Sequence, residues 1–392
     1  MTSYLDHAAT TPMHPRAVEA MVAELGRVGN ASSLHDAGRA ARRVVEESRE
    51  LIAERLGARP AEVLFTGGGT EADNLAVKGL YWARRGADPD RRRVLVSAVE
   101  HHAVLDAAYW LGEHSDAEPV LLPVDRVGRL DLAALEAELD HGEVALVSVM
   151  WANNEVGTVQ PIAEVVALAH RHGIPVHSDA VQAAGPLDVD FATSGLDAMS
   201  VSAHKLGGPL GVGALLLRRE VAVTPVQHGG GQERGVRSGT FATPLIRSFA
   251  AAVDAAVTGR AAQGARVAGL RDALAAAVLT QVPDAVVRGP EVPGPLGERL
   301  PGNLSVTFPG CDTDALLYLL DSRGVQCSAG SACQAGVARP SHVLLAMGLT
   351  EADARGTLRF SLGWSSTHDD VEAVAGVIGD IVARARAAAG AG

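Results

Sequence analysis

Between residues 60 and 220 the sequence alternates short β-rich runs with stretches of helical period, and this alternation restricts the fold more than any other feature. The runs EVLFT, RVLVSA, VALVSVM, IPVHSD, AMSVSA and GALLLRR predict strands, several of them apolar on both faces. Between them GTEADNLAVKGLYWARRG, HAVLDAAYWLGEH and PIAEVVALAHRHG have helical spacing, the last opening with Pro161 and closing with Gly173. The pattern predicts an α/β fold with a mainly parallel sheet and helices on both faces. In open sheets of this kind ligands sit at the carboxyl ends of the strands, so polar residues that follow a strand carry the chemical information.

The chain is too long, at 392 residues, for one core to be the default expectation. Upstream of the alternating region, DAGRAARRVVEESRELIAERLGA predicts an amphipathic helix through Ala37, Ala41, Val44, Ser48 and Leu51. Downstream, LIRSFAAAVDAAV leads into a helix-like stretch over 259–281 and a proline-rich loop. LSVTF, DALLYLLDSRG, SHVLLAMG, TLRFSLG and DDVEAVAGVIGDIVARA then predict a smaller α+β domain. The expected division is a large domain over 14–257 and a small domain from 1–13 with 258–392. A net charge of −12 excludes general affinity for nucleic acid or anionic lipid, which needs clustered positive charge, and points to a small substrate. Arg91 to Arg93 read as a solvated edge. The N-terminus lacks a basic segment followed by an apolar run, and no long uncharged apolar stretch occurs, which predicts a cytoplasmic protein without a membrane span.

Three cysteines, Cys311, Cys327 and Cys333, do not make a disulfide framework, and no CxxC spacing suggests a metal site. Of the 34 basic residues only Lys78 and Lys205 are lysines. Lys78 falls in an amphipathic helical stretch, whereas Lys205 follows a strand and precedes LGGPLG, which is not surface-helix composition. FTGGGTEADN follows a strand and opens a helix; its glycines, with Gly69 and Thr70 at the turn, read either as a common tight turn or as an anion cup. Asp179, at the end of VHSD, reads either as a cap or as the partner of a ligand cation. A phosphate cup, a carboxylate at one strand end and a lysine at another are together the means of holding pyridoxal 5′-phosphate (PLP).

The segments SAHK, HSDAVQ, VEHHAVL, WANNEVGTVQP, HGGGQERGVRSGT and SAGSACQAG with PSHVLLAMG strongly resemble cysteine desulfurases of the NifS/IscS type, from YLDHAATTP to LRFSLG. The resemblance implies the type I PLP-dependent transferase fold, with a mainly parallel seven-stranded sheet and a smaller α+β domain, and a homodimer. It implies that Lys205 bonds the cofactor aldehyde, that Asp179 faces the pyridine nitrogen, that His101 stacks over the ring, and that Gln182 and Asn154 contact its phenolate side. Gly69, Thr70, Ser202 and His204 would bind the phosphate, joined by Thr240 from the second subunit. Asn30 and Arg359 would take the substrate carboxylate, a task for which a guanidinium fork suits Arg359.

In the same likeness Cys333 attacks the sulfur of L-cysteine, leaving alanine and a persulfide for an iron–sulfur scaffold or a tRNA-thiolation enzyme. A free thiol needs help to ionise at neutral pH, and His101 is the expected acceptor of its proton. Cys327 reads as a small packed residue, and Cys311 has no evident role. Many members of the family have serine where Ala329 stands and threonine where Gln334 stands. The competing readings are a selenocysteine lyase or another PLP enzyme of this fold, and a thiol-based sulfur carrier without PLP.

Overall fold

The computed structural model describes residues 2–294, 297–330 and 340–389. Its strands are β1 (Ser3–Tyr4), β2 (Val63–Thr66), β3 (Arg93–Ser97), β4 (Glu118–Leu122), β5 (Val144–Ser148), β6 (Val176–Asp179), β7 (Ala198–Ser202), β8 (Gly213–Leu217), β9 (Val286–Arg288), β10 (Asn303–Thr307), β11 (Val325–Gln326) and β12 (Thr357–Ser361). Seven of them form the main sheet, in the order β2-β8-β7-β6-β5-β3-β4. Neighbours from β4 to β7 pair parallel, and only β8 runs against both of its partners, β2 and β7. The fold is the expected α/β arrangement.

Apolar runs become strands here because both faces of the sheet are covered. In β2, Val63 and Phe65 belong to one core cluster and Leu64 to another, and in β3 Leu95 and its neighbours Val94 and Val96 divide the same way. In the main sheet, the strand that the apolar pattern does not reveal is β4. It opens with Glu118 and Pro119 at the sheet edge, where a missing N–H costs no ladder bond and exposure relaxes the demand for apolar residues. Arg93 at the start of β3 is buried and reaches Glu118 and Glu138, so the end of the Arg91–Arg93 run is more enclosed than a solvated edge.

A second core gathers Leu5, Leu274, Val278, Leu304, Val306, Phe308, Leu358, Phe360 and Ile378 around the antiparallel sheet β12-β10-β9. The two helical stretches expected around residue 257 form one helix, Thr243–Gln281. Its first half puts Ile246, Phe249 and Val253 into the main core, and its second half puts Val267, Leu274 and Val278 into the second. Among the described residues no helix is long and apolar enough to cross a membrane.

The N-terminal segment crosses from one core to the other. Its His7 is buried, with Nδ1 2.6 Å from Thr11 Oγ1 and Nε2 3.3 Å from Ser366 Oγ, and burial pushes its pKa down to about 4. Below pH ~6.5 the unfolded chain takes up this proton and the folded chain does not, so the contribution of His7 to stability falls as pH drops from ~6.5 to about 4. Relative to His7→Gln, which cannot titrate, the wild type is expected to lose about 2 kcal/mol of unfolding free energy between pH 7 and pH 5, measured by urea denaturation.

Candidate active site

The carboxyl ends of β2, β3, β5, β6 and β7 point to the same edge of the main sheet, and each delivers a polar group there. Asp179 is the last residue of β6 and is buried. One of its oxygens accepts from Val181 N at 2.8 Å, so it caps its own turn and still presents a carboxylate. β7 ends at Ser202, and the chain tightens into a 3₁₀ turn, Ala203–Lys205. Lys205 Nζ donates to the carbonyls of Ala8 and Ala9 at 2.5 and 2.8 Å. Gln182 Nε2 donates to that same Ala8 carbonyl at 2.9 Å, which brings Gln182 and Lys205 together under the N-terminal segment. Lys78 is occupied elsewhere, with Nζ 4.3 Å from the centroid of the Trp110 ring.

His101 stands after β3 as the N-cap of the helix His102–His114, its Nδ1 accepting from Ala103 N at 3.1 Å. Burial pushes the His101 pKa down, while Asp179 pulls it up and Lys205 opposes. Burial likewise pushes Asp179 up, against the positive charges of His101 and Lys205. Three side chains from three strand ends therefore share one low-dielectric field, in which a cation beside Asp179 would be strongly held.

After β2 the turn enters the helix Gly69–Ala87 through Gly68, whose φ of 147° is closed to most side chains. A Cβ on Gly69 would lie 2.9 Å from Val181 Cγ2 and 3.4 Å from Ser202 Cβ, so the bare backbone approaches both the Asp179 turn and Ser202. Thr70 is exposed on the first turn of that helix, and Ser202 is buried at the end of its strand. His204 Nδ1 lies 3.3 Å from Thr10 Oγ1, and burial, followed by the Lys205 charge, pushes its pKa down to about 4.

The small domain contributes Arg359, on β12. Its Nη2 donates to Asp6 Oδ1 at 2.9 Å and its Nη1 to the Asn154 carbonyl at 3.2 Å, while its buried Nε has no partner among the described residues. Asn30 and Thr240 are exposed, and Asn30 Oδ1 accepts from Ser32 N at 2.9 Å. Cys333 lies outside the described residues. Cys311 is buried in the second core and Cys327 packs against it, with burial pushing the Cys327 thiol up to about 12.

Several buried carboxylates at the site escape sequence reasoning. Asp73 is buried, its Oδ1 3.6 Å from His177 Nε2 and without a hydrogen-bond partner among the described residues. Glu100 is buried with an Oε2 that has no partner among the described residues, and both acids are pushed well up, first by burial and next by Asp179. His177 bridges Ser148 and Ser200 at 2.9 and 3.0 Å, and burial holds its pKa near about 3, so it is neutral at physiological pH. The available signal was Asp73 on a helical face otherwise made of Ala72, Ala76 and Leu80.

The profile of aminotransferase class V matches residues 3–374 of this chain. The chain belongs to the class-V aminotransferase family. An IscS-like cysteine desulfurase of Mycobacterium tuberculosis is 58% identical over 388 residues, covering 99% of this chain and 98% of that protein. A cysteine desulfurase of Cereibacter sphaeroides is 42% identical over 386 residues, covering 98% and 96%. Among solved structures, a NifS-like protein superimposes with a TM-score of 0.89 at 34% identity, covering 98% of this chain and all of that one.

The residues present in this class-V chain fit PLP. The Gly69 backbone forms a cradle that a Cβ would fill, beside the hydroxyl of Ser202. Asp179 is a buried carboxylate able to face a pyridinium nitrogen, and Arg359 keeps a buried donor for an anion. Among the described residues no group of three or more His, Cys, Asp or Glu side chains could hold a metal ion.

Proposed function

We propose that the protein is a PLP-dependent cysteine desulfurase that converts L-cysteine to L-alanine and leaves the sulfur as a persulfide on Cys333. The observation that carries this reading is the meeting of Lys205, Asp179 and His101 at one sheet edge, in a chain 58% identical to a protein named as such a desulfurase. When bound, PLP supplies an electron sink for the carbon skeleton of the substrate.

In this reading Lys205 would bond the cofactor aldehyde, and its amine would carry the substrate Cα proton. Asp179 would hold a proton on the pyridine nitrogen by its negative charge. His101, Gln182 and Asn154 would hold the ring. Gly69, Thr70, Ser202 and His204 would hold the phosphate, with Thr240 from a second copy of the chain. The Cys333 thiolate forms a bond to the substrate sulfur as the Cβ–Sγ bond breaks. The electron pair passes to carbon, which is protonated on the way to alanine. His101, neutral because burial lowers its pKa, takes the thiol proton.

Arg359 and Asn30 receive the substrate carboxylate. The unpartnered Nε of Arg359 supports this, because a carboxylate there completes the guanidinium's hydrogen bonds. Arg359→Lys is expected to raise KM for L-cysteine by about ten- to a hundredfold, the loss of one arm of a bidentate charged pair, in steady-state assays. A change of less than twofold would remove Arg359 from this role.

A homodimer is part of the proposal. Val18, Val22 and Leu25 line one face of the helix Pro15–Leu25 and are exposed, as are Val28 and Leu34 beyond it, an apolar surface suited to a second copy. The division into a PLP-binding domain (14–257) and a small domain (1–13 and 258–392) carrying the cysteine loop also belongs to this reading, with Leu5 in the second core in its support. The persulfide would go, in the cytoplasm, to an iron–sulfur scaffold or a tRNA-thiolation enzyme.

The test is to incubate the PLP-loaded protein with L-cysteine and measure alanine, then digest it and weigh the Cys333 peptide. One added sulfur on that peptide and one alanine per turnover are expected. A colourless protein that forms no alanine would favour a sulfur carrier without PLP, and strict dependence on selenocysteine a lyase.

A further inference from the structure

Both stems of the segment that carries Cys333 converge on one buried side chain. Glu155 is 4% exposed and sits in a turn that Asn153 makes rigid: Asn153 Oδ1 accepts from the backbone N–H groups of Glu155 and Val156, each at 2.9 Å. Asn153 Nδ2 in turn donates to the Val99 carbonyl at 2.9 Å. The residue between them, Asn154, offers the carbonyl that receives Arg359. Glu155 therefore stands on the same mount as the site.

On one side, the chain entering the segment packs directly on this carboxylate. A Cβ on Gly330 would overlap Glu155 Oε2 and lie 3.0 Å from its Cδ, so a larger residue there would displace the carboxylate. Two residues earlier, Ser328 exchanges backbone hydrogen bonds of 2.7 and 3.2 Å with Arg359. On the other side, the chain leaving the segment returns at Ser341, whose hydroxyl donates to Glu155 Oε2 at 2.5 Å. His342 follows, its Nε2 2.9 Å from the Glu100 carbonyl and its ring 4.9 Å from that of His102, the neighbour of His101.

We propose that Glu155 is a positioning residue for sulfur transfer, a clasp that fixes both ends of the Cys333 segment to the turn that also holds Arg359. The inference rests on the reading of Cys333 as the sulfur acceptor. Cys333 is three residues along the chain from Gly330 and eight before Ser341, the described residues that meet Glu155 on either side of it. A shared anchor for Gly330 and Ser341 would limit the freedom of the chain between them and so favour the encounter of its thiol with the substrate sulfur. Glu155 acts on the transfer step alone.

Single-turnover formation of persulfide, measured on the PLP-loaded enzyme by quenched-flow mass spectrometry, tests this. Glu155→Ala is expected to slow persulfide formation by about tenfold or more, with KM for L-cysteine and cofactor content changed less than about twofold. Glu155→Gln, whose amide oxygen still accepts from Ser341, should recover most of the rate. Ser341→Ala should slow transfer in the same direction, and adding it to Glu155→Ala should cost little more, as coupled groups do. A persulfide rate unchanged in both single variants overturns the proposal, as do effects that multiply in the double variant, or a lowered melting temperature without slower transfer. Should Glu155→Ala fail to fold, Ser341→Ala alone decides. Alkylation-blocked Cys333 or Cys333→Ser that still yields alanine and sulfide would instead overturn the underlying reading, whatever Glu155 does.

Discussion

Lys205→Ala is expected to lower kcat by at least about 10³-fold, because it removes both the amine that bonds the cofactor and the base that moves the substrate proton. Lys205→Arg should fail equally, since a guanidinium neither condenses with an aldehyde nor gives up its proton near neutral pH. The chain makes this test unusually clean. It holds only two lysines, and Lys78 is committed to the Trp110 ring, 4.3 Å from its centroid. Reduction of the PLP-loaded protein with borohydride should therefore mark one peptide, the one containing Lys205, and mark nothing in Lys205→Ala. The fold should survive, because Lys205 lies in a three-residue turn and its hydrogen bonds go to backbone carbonyls of Ala8 and Ala9 rather than into a core. Label on Lys78, or turnover by Lys205→Ala within tenfold of wild type, would remove Lys205 from the chemistry.

The parts of the fold that were legible are those whose sequence obeys a period. β2, β3 and β5 to β8 are runs buried on both faces, and a sheet covered on both sides accommodates them. β4 was silent because an edge strand is free to open with Glu118 and Pro119, and β1 and β11 are two residues each, too short for any pattern. The site divides along the same line. Lys205 and Asp179 could be singled out because each follows a strand, and a lysine in a chain of arginines asks for a reason. Their assignment to a cofactor, and the roles of His101, Gln182 and Thr240, needed the family likeness.

Asp6, Glu100 and Glu155 were not legible, and Asp73 left only the mark of an acid on an otherwise small and apolar helical face. A carboxylate in a sequence has the signature of a solvated residue, and only tertiary packing puts Asp73 under Asp179, pairs Asp6 with Arg359, or sets Glu155 against Gly330. Burial of charge is a long-range property, and composition carries no trace of it.

Cys333→Ala should separate binding from sulfur transfer. The variant is expected to load PLP, bind L-cysteine and respond spectrally to it, yet form persulfide and alanine at least about 10³-fold more slowly, since no other group can take over the attack. The other thiols are disqualified on physical grounds. Burial pushes Cys327 up to about 12, so at pH 7 only about one molecule in 10⁵ carries its thiolate, against a few per cent for an ordinary exposed cysteine. Cys311 is buried in the second core, its sulfur 3.8 Å from the Val382 carbonyl, and burial raises its pKa too. Cys311→Ala and Cys327→Ala should therefore keep activity near wild type, while the triple variant behaves as Cys333→Ala alone. The dependence on pH carries the same logic. His101 accepts the thiol proton only while neutral, and burial pushes its pKa down from the usual 6.5, so activity should persist into mild acid, where an ordinary histidine would already be charged. Persulfide found on Cys327 after L-cysteine treatment, or desulfuration by Cys333→Ala at more than a tenth of the wild-type rate, would show that the reacting sulfur is carried elsewhere.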